Sequence, residues 1–175
     1  MIFLLENLFF PIRDFFEMGG GVLYGILVAT ILMWTLIVER LWFYYFILPG
    51  RLKATESAWN ARADTRSWYA RQIRSQMISE VGVECRKFLP IIKAVMAVLP
   101  LLGLLGTVTG MIAVFDVMAF AGTGNARLMA AGVSKATIPT MSGLVAALSG
   151  LYFAAMLERK SVRQVERLED ALAHH

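Results

Sequence analysis

Apolar residues run along this chain in three long stretches that no charge interrupts: 21 residues from Met18 to Val38, 22 from Ala94 to Phe115 and 22 from Ala136 to Leu157. Each reaches the roughly 20 residues that a helix needs to cross a hydrocarbon core. The pattern predicts three spanning helices, placed at 20–48, 89–120 and 128–157. Residues 5–17 mix aromatics with charges, which predicts a short helix lying in the outer interface before the chain turns into the membrane at Gly19-Gly20-Gly21. Pro49-Gly50 is expected to end the first spanning helix. In the segment 49–88, the stretch from Ala54 to Lys87 has no proline and no glycine before Gly82, so it is expected to be helical and to run on into span two. The tail, 158–175, is charged and helix-prone from Glu158 to Ala171. Spans two and three are thus expected to project beyond the membrane as helices. Neither extension alone can bury a core, so the whole chain, 1–175, reads as one membrane domain.

Composition agrees and narrows the classes. Hydrophobic residues make up 58% of the 175 and charged residues 17%, against roughly 45–50% and about 25% in soluble domains. The single cysteine, Cys85, excludes an internal disulfide and reads as a reduced cytosolic thiol. The first span starts too late and is too long for a cleaved signal peptide, and it reads as a permanent anchor. The formal net charge of +4 is explained by orientation rather than by nucleic acid. Segment 49–88 holds eight Lys and Arg and the tail four, while the N-terminus and the connection between spans two and three hold only Arg13 and Arg127. Positive charge gathers on the cytoplasmic side, which puts the N-terminus outside and the C-terminus inside. Trp42, Phe43, Tyr44 and Tyr45 suit an aromatic belt at the inner end of span one.

Candidate chemistry is confined to polar residues on small-residue faces. Span two places Gly103, Gly106, Thr107 and Gly110 on one helical stripe, and span three does the same with Gly132, Ala136, Thr140, Gly143, Ala147 and Gly150. In lipid such spacing lets helix backbones approach closely, while threonine hydroxyls either link helices or face water. Lys93, near the cytoplasmic end of span two, can snorkel to the interface. Asp116 and Lys135 flank the short outer connection and, at 1.5 Å per residue, lie about 7 Å and about 12 Å below its edge. Charges there are expensive and normally face a bundle interior or a water-filled cavity. Two readings stay open: an ion pair between Asp116 and Lys135 that ties the spans together, or a Lys135 that faces a lumen. No nucleophile with a base, no phosphate loop and no metal-ligand spacing accompanies them, so no enzyme, cofactor or metal is expected. His174 and His175 at the chain end carry no assigned role.

On these residues the chain resembles the MotA/TolQ/ExbB proton-channel family, and most closely its ExbB branch. Pro100 to Gly110, P-L-L-G-L-L-G-T-V-T-G, is similar to the family's second-span segment, and Gly132 to Gly150 is similar to its third span. The resemblance implies an all-α homopentamer of three-span subunits in the bacterial inner membrane. It also implies single-span ExbD-like partners inside the pore, a TonB-like protein that receives the motion, and surrounding lipid. The implied function is that of a pore-forming stator, driven by the proton-motive force, that energises outer-membrane uptake of iron-siderophores or vitamins. A Tol-type envelope-maintenance motor shares the architecture, and a non-conducting scaffold is the alternative outside the motor class. Carried over position by position, the family's lumen threonines fall on Thr107 and Thr140. Gly103, Gly106, Gly110 and Gly143 are read from their small-residue spacing, not from the resemblance, as helix-packing positions. The acidic position of the family's third span is occupied here by Lys135, within Gly132-Val-Ser-Lys-Ala136. The reading favoured for that departure is a ring of positive charge that attracts and orients an aspartate on the partner.

Overall fold

A computed structural model describes the backbone of residues 2–121 and 126–172 and the side chains of 20–120 and 129–172. The connection at 122–125 and the terminal His174 and His175 lie outside the described residues. The described backbone is built from helices: α1 (Ile2–Trp42), a π-helical turn (Phe43–Ile47), α2 (Leu48–Asn60), α3 (Trp68–Arg86), α4 (Leu89–Ala121) and α5 (Ala126–Ala171). Three helical stretches are long and apolar enough to cross a membrane: Gly20–Asn60, Trp68–Phe120 and Met129–Ala171. The second and third charge-free gaps of the sequence fall inside them, and the first does so from Gly20 onward. Gly20, at φ 68° and ψ −170°, leaves the helical conformation within α1, in the left-handed region that a residue without Cβ reaches at low cost.

Pro49-Gly50 does not end the first helix. Both residues sit in α2, with Pro49 in its first turn, where a missing N–H is one that helix starts leave unpaired anyway. The π turn makes this possible. The Leu48 N–H donates to the Phe43 carbonyl five residues back, so the helix widens ahead of the proline instead of breaking.

The expected continuous helix from Ala54 into span two is interrupted twice. Between α2 and α3, the Asp64 carboxylate accepts from the Arg66 N–H (3.2 Å) and the Ser67 N–H (3.0 Å). The Ser67 hydroxyl then accepts from the Ala70 N–H at 3.1 Å and caps α3. Short polar side chains that bond their own backbone compete with the helix, and this composition of good helix formers hid them. Between α3 and α4 the backbone turns at Phe88, whose φ is 65°, a left-handed conformation that costs a non-glycine residue roughly 1–2 kcal/mol. The Arg40 guanidinium lies 5.0 Å from the centre of the Phe88 ring, and Pro90 follows in the first turn of α4. The Asp64 turn has a pH signature. Hydrogen bonds from Ser67 and Arg66 hold the Asp64 carboxyl below its ordinary value of 3.8. A depressed carboxylate stabilises the fold fully above its unfolded pKa and loses that contribution as pH falls through the folded one. Amide exchange at Arg66 and Ser67 is therefore expected to speed up only below the ordinary aspartate range, and Asp64→Asn should remove that dependence.

The chain divides into two compact units, 1–33 with 94–150 and 34–93 with 151–175. In the first, the register of close approaches shows α4 and α5 to be antiparallel. Leu99 meets Gly143, Gly103 meets Thr140, Gly110 meets Ala136 and Val114 meets Gly132. Leu23, Ile26 and Met33 bury one face of α1 in the same unit. In the second, Ile37, Trp59, Cys85, Ile92 and Leu157 form the centre of the core. Arg40 is only 3% exposed there. It pairs with Glu39 at 2.6 Å, donates to the Glu84 carbonyl at 3.0 Å and stacks 4.6 Å from the Phe43 ring centre. The Tyr44 hydroxyl donates to the Cys85 carbonyl at 2.8 Å. Burial pushes the Cys85 thiol up to about 11, so almost no thiolate exists at neutral pH. Maleimide is expected to leave Cys85 unmodified in the folded protein and to label it on denaturation; labelling at equal rates in both states would contradict this placement.

Candidate functional site

The site begins with the seam between α4 and α5. A Cβ added at Gly103 would come within 2.9 Å of the Thr140 Cα, and one at Gly110 within 2.8 Å of the Ala136 Cβ. At Gly143 it would stand 2.5 Å from the Leu99 carbonyl oxygen, and at Gly106 it would run into the Pro139 ring. Four glycines of the two sequence stripes therefore face the partner helix, Gly103, Gly110 and Gly143 against its backbone and Gly106 against the Pro139 ring. Small residues supply this closeness where lipid offers no hydrophobic drive between helices.

Polar groups enter along that seam. The Thr140 hydroxyl donates to the Gly103 carbonyl on α4 at 2.9 Å. That carbonyl is the one facing the Thr107 amide four residues on, so the two threonines meet around a single carbonyl group. The Thr107 hydroxyl donates to Leu104 in its own turn, at 2.7 Å. Both residues are half-buried. The Thr140 hydroxyl thus links the two helices in this chain.

Lys135 stands elsewhere. It lines a groove of about 480 Å3 bounded by Gly20–Val22 of α1, by Thr109, Gly110 and Val117 of α4 and by Gly132 of α5. Thr107 and Thr140 are not among its walls. The lysine groove therefore adjoins the seam at Gly106 and Gly110 without reaching the two threonines. Pro139 has no N–H, so the Lys135 carbonyl has no helical donor at i+4. The ion pair between Asp116 and Lys135 is not formed: both side chains are exposed, and no salt bridge joins them among the described residues. Helical rotation explains the failure. Val117 and Met118 line the Lys135 groove while Asp116 does not, because each step along the helix turns the side chain by about 100°.

Lys93, expected to snorkel, has a partner the sequence did not reveal. Its ammonium bonds Glu158 at 2.7 Å, with both side chains about half exposed, a pair of the kind worth at most about 1 kcal/mol. Thr109 and Pro139 were also missed. Their signal was present in the 3.6-residue period: Thr109 shares the Lys135 groove with Gly106 and Gly110, and Pro139 fills the notch left by Gly106. Among the described residues no group of three metal-ligating side chains comes together.

The sequence profile of the MotA/TolQ/ExbB proton channel family matches residues 50–170, well over half of the chain, and includes both helices of the seam. The chain belongs to this family. With three apolar helices of spanning length, this member of the MotA/TolQ/ExbB family is a multi-pass membrane protein. It is similar to two Synechocystis proteins named as ExbB-like biopolymer transport proteins. Identity to ExbB-like 3 is 33% over 87 residues, 49% of this chain and 41% of that protein. Identity to ExbB-like 1 is 28% over 185 aligned positions, 87% of this chain and 73% of that protein. The first match therefore spans less than half of its relative's length.

Proposed function

We propose that the chain is the pore-forming stator subunit of a proton-motive-force-driven complex of the ExbB–ExbD–TonB type, energising outer-membrane uptake of iron-siderophores or vitamins. The family match across α4 and α5 carries this reading, and the ExbB-like relatives favour it over the Tol-type motor. In the proposed assembly five copies sit in the inner membrane with the N-terminus outside, and residues 5–17 lie in the outer interface. The α4–α5 hairpins enclose a lumen that receives a single-span ExbD-like helix, with Thr107 and Thr140 towards it. Tight glycine packing makes each hairpin a rigid stave, which suits a stator: force applied to one helix is passed to the other with little loss to deformation.

Lys135 supports the choice of an external partner. An exposed ammonium in an apolar helix, with no carboxylate in salt-bridge reach among the described residues, is open to a counter-charge from a partner. A partner carboxylate supplies one. The test is growth of a strain lacking the gene on chelated iron supplied as a siderophore, set beside its detergent sensitivity. Failure on iron with an intact envelope is the expected result. Detergent leakage with normal iron uptake would move the protein to the Tol branch. Absence of proton flux through the reconstituted complex would make it a scaffold.

A further inference from the structure

Tyr152, Ala155, Met156, Arg159, Lys160 and Arg163 wall a second cavity of about 480 Å3. Their spacing of three and four residues places them on a single stripe of α5. The stripe is graded. Its first three members are carbon surface within the apolar gap that ends at Leu157, and the next three are cations just past it. Tyr152, Ala155, Arg159 and Arg163 are exposed, and Met156 and Lys160 are half-buried.

Its three cations, like most described Lys and Arg, have no carboxylate within salt-bridge distance among the described residues. One further observation separates this stripe from an ordinary solvated face. Lys160 is held in place by another helix: its ammonium lies 4.4 Å from the centre of the Tyr45 ring and donates to the Tyr45 hydroxyl at 3.1 Å. A pinned cation between two unpaired guanidinium groups leaves their fork-shaped donors free for a phosphate, which such forks grip in bidentate fashion.

We infer that this stripe holds the phosphate of an anionic phospholipid headgroup, with an acyl chain lying along Tyr152, Ala155 and Met156. The grading selects the ligand. A lipid presents an anion and a hydrocarbon chain in the same order and at the same depth as the stripe, while an acidic peptide offers nothing to its apolar half. The inference needs only that the chain is membrane-embedded, so its test and the iron-growth test fail independently.

The experiment is native mass spectrometry of the detergent-purified full chain titrated with phosphatidylglycerol or with phosphatidylcholine. Wild type is expected to take up phosphatidylglycerol preferentially, and rising salt should weaken that preference. Each cation removed should lower the apparent affinity about fivefold, and the Arg159→Gln, Lys160→Gln, Arg163→Gln triple variant roughly a hundredfold. Phosphatidylcholine uptake should not change. Should the triple variant misfold, Arg163→Gln alone, at an exposed position, still reads out one fivefold step. Equal uptake of the two lipids, or unchanged phosphatidylglycerol affinity in the variants, overturns the inference. Displacement of the lipid by inorganic phosphate would reassign the site to a free anion, and displacement by polyglutamate would reassign it to an acidic protein segment; either result overturns it too.

Discussion

Gly143→Ala is expected to destabilise the chain by about 3 kcal/mol, the upper end of what overpacking costs, and Gly25→Ala to stabilise it by about 0.5–1 kcal/mol. Both substitutions add one methyl group to a helical glycine of the first unit, so propensity alone predicts the same gain for each. What differs is the neighbour. At Gly143 the new Cβ would stand 2.5 Å from the Leu99 carbonyl oxygen and 3.3 Å from the Gly103 Cα, both backbone atoms of α4. At Gly25 nothing lies within 4 Å. A flexible side chain could swing aside, but a backbone carbonyl can move only if the helix that carries it moves. Displacing α4 would stretch the 2.9 Å bond from Thr140 to the Gly103 carbonyl, an interhelical contact worth about 0.6 to 2 kcal/mol in membranes. Thermal unfolding of each variant in the same detergent, followed by circular dichroism, checks both signs. A Gly143→Ala protein that melts with the wild type would mean that the seam is looser than these distances imply.

This contrast also shows where sequence reading reached and where it stopped. The spans were legible because charge is forbidden in hydrocarbon, so the gaps between charged residues report membrane depth directly. The glycine stripes were legible because a period of 3.6 residues maps onto one face. How closely each glycine is met was not, since that depends on the facing atom of another helix, as at Gly143, whose added Cβ would meet the Leu99 carbonyl oxygen. The breaks at 61–67 and at Phe88 were hidden for a related reason. Propensity summed over Ala54–Lys87 favours helix, and a single Asp64 bonding two amides outweighs it locally. Pro49 misled in the opposite direction, because a proline is a stop only when the preceding turn keeps α geometry, and here that turn widens to π. The Asp116–Lys135 pairing failed on rotation. Two residues at similar depth on neighbouring helices meet only if both faces point inward, and depth was all that spacing along the chain could supply.

The lysine of the third span leads to the second large effect. Lys135→Ala is expected to reduce siderophore-dependent growth at least tenfold while leaving the purified chain as stable as wild type or more so. The two halves of this expectation share one cause. A lysine in a spanning helix costs about 2.5–3.5 kcal/mol on the insertion scale, and no ion pair among the described residues returns that cost within the chain. Removing the ammonium therefore relieves the isolated subunit. In the proposed assembly a carboxylate from the partner helix neutralises it. Lys135→Arg, which keeps the charge on a side chain of similar reach, should preserve most of the growth, though guanidinium and ammonium bind carboxylates with different geometry. Asp116→Asn should leave growth and stability unchanged, because Asp116 lies outside the walls of the Lys135 groove. A structural role would reverse the pattern: Lys135→Ala would melt earlier, and Asp116→Asn would follow it. Wild-type growth of Lys135→Ala would remove the lysine from the transport mechanism and leave a stator that works without charge at this position.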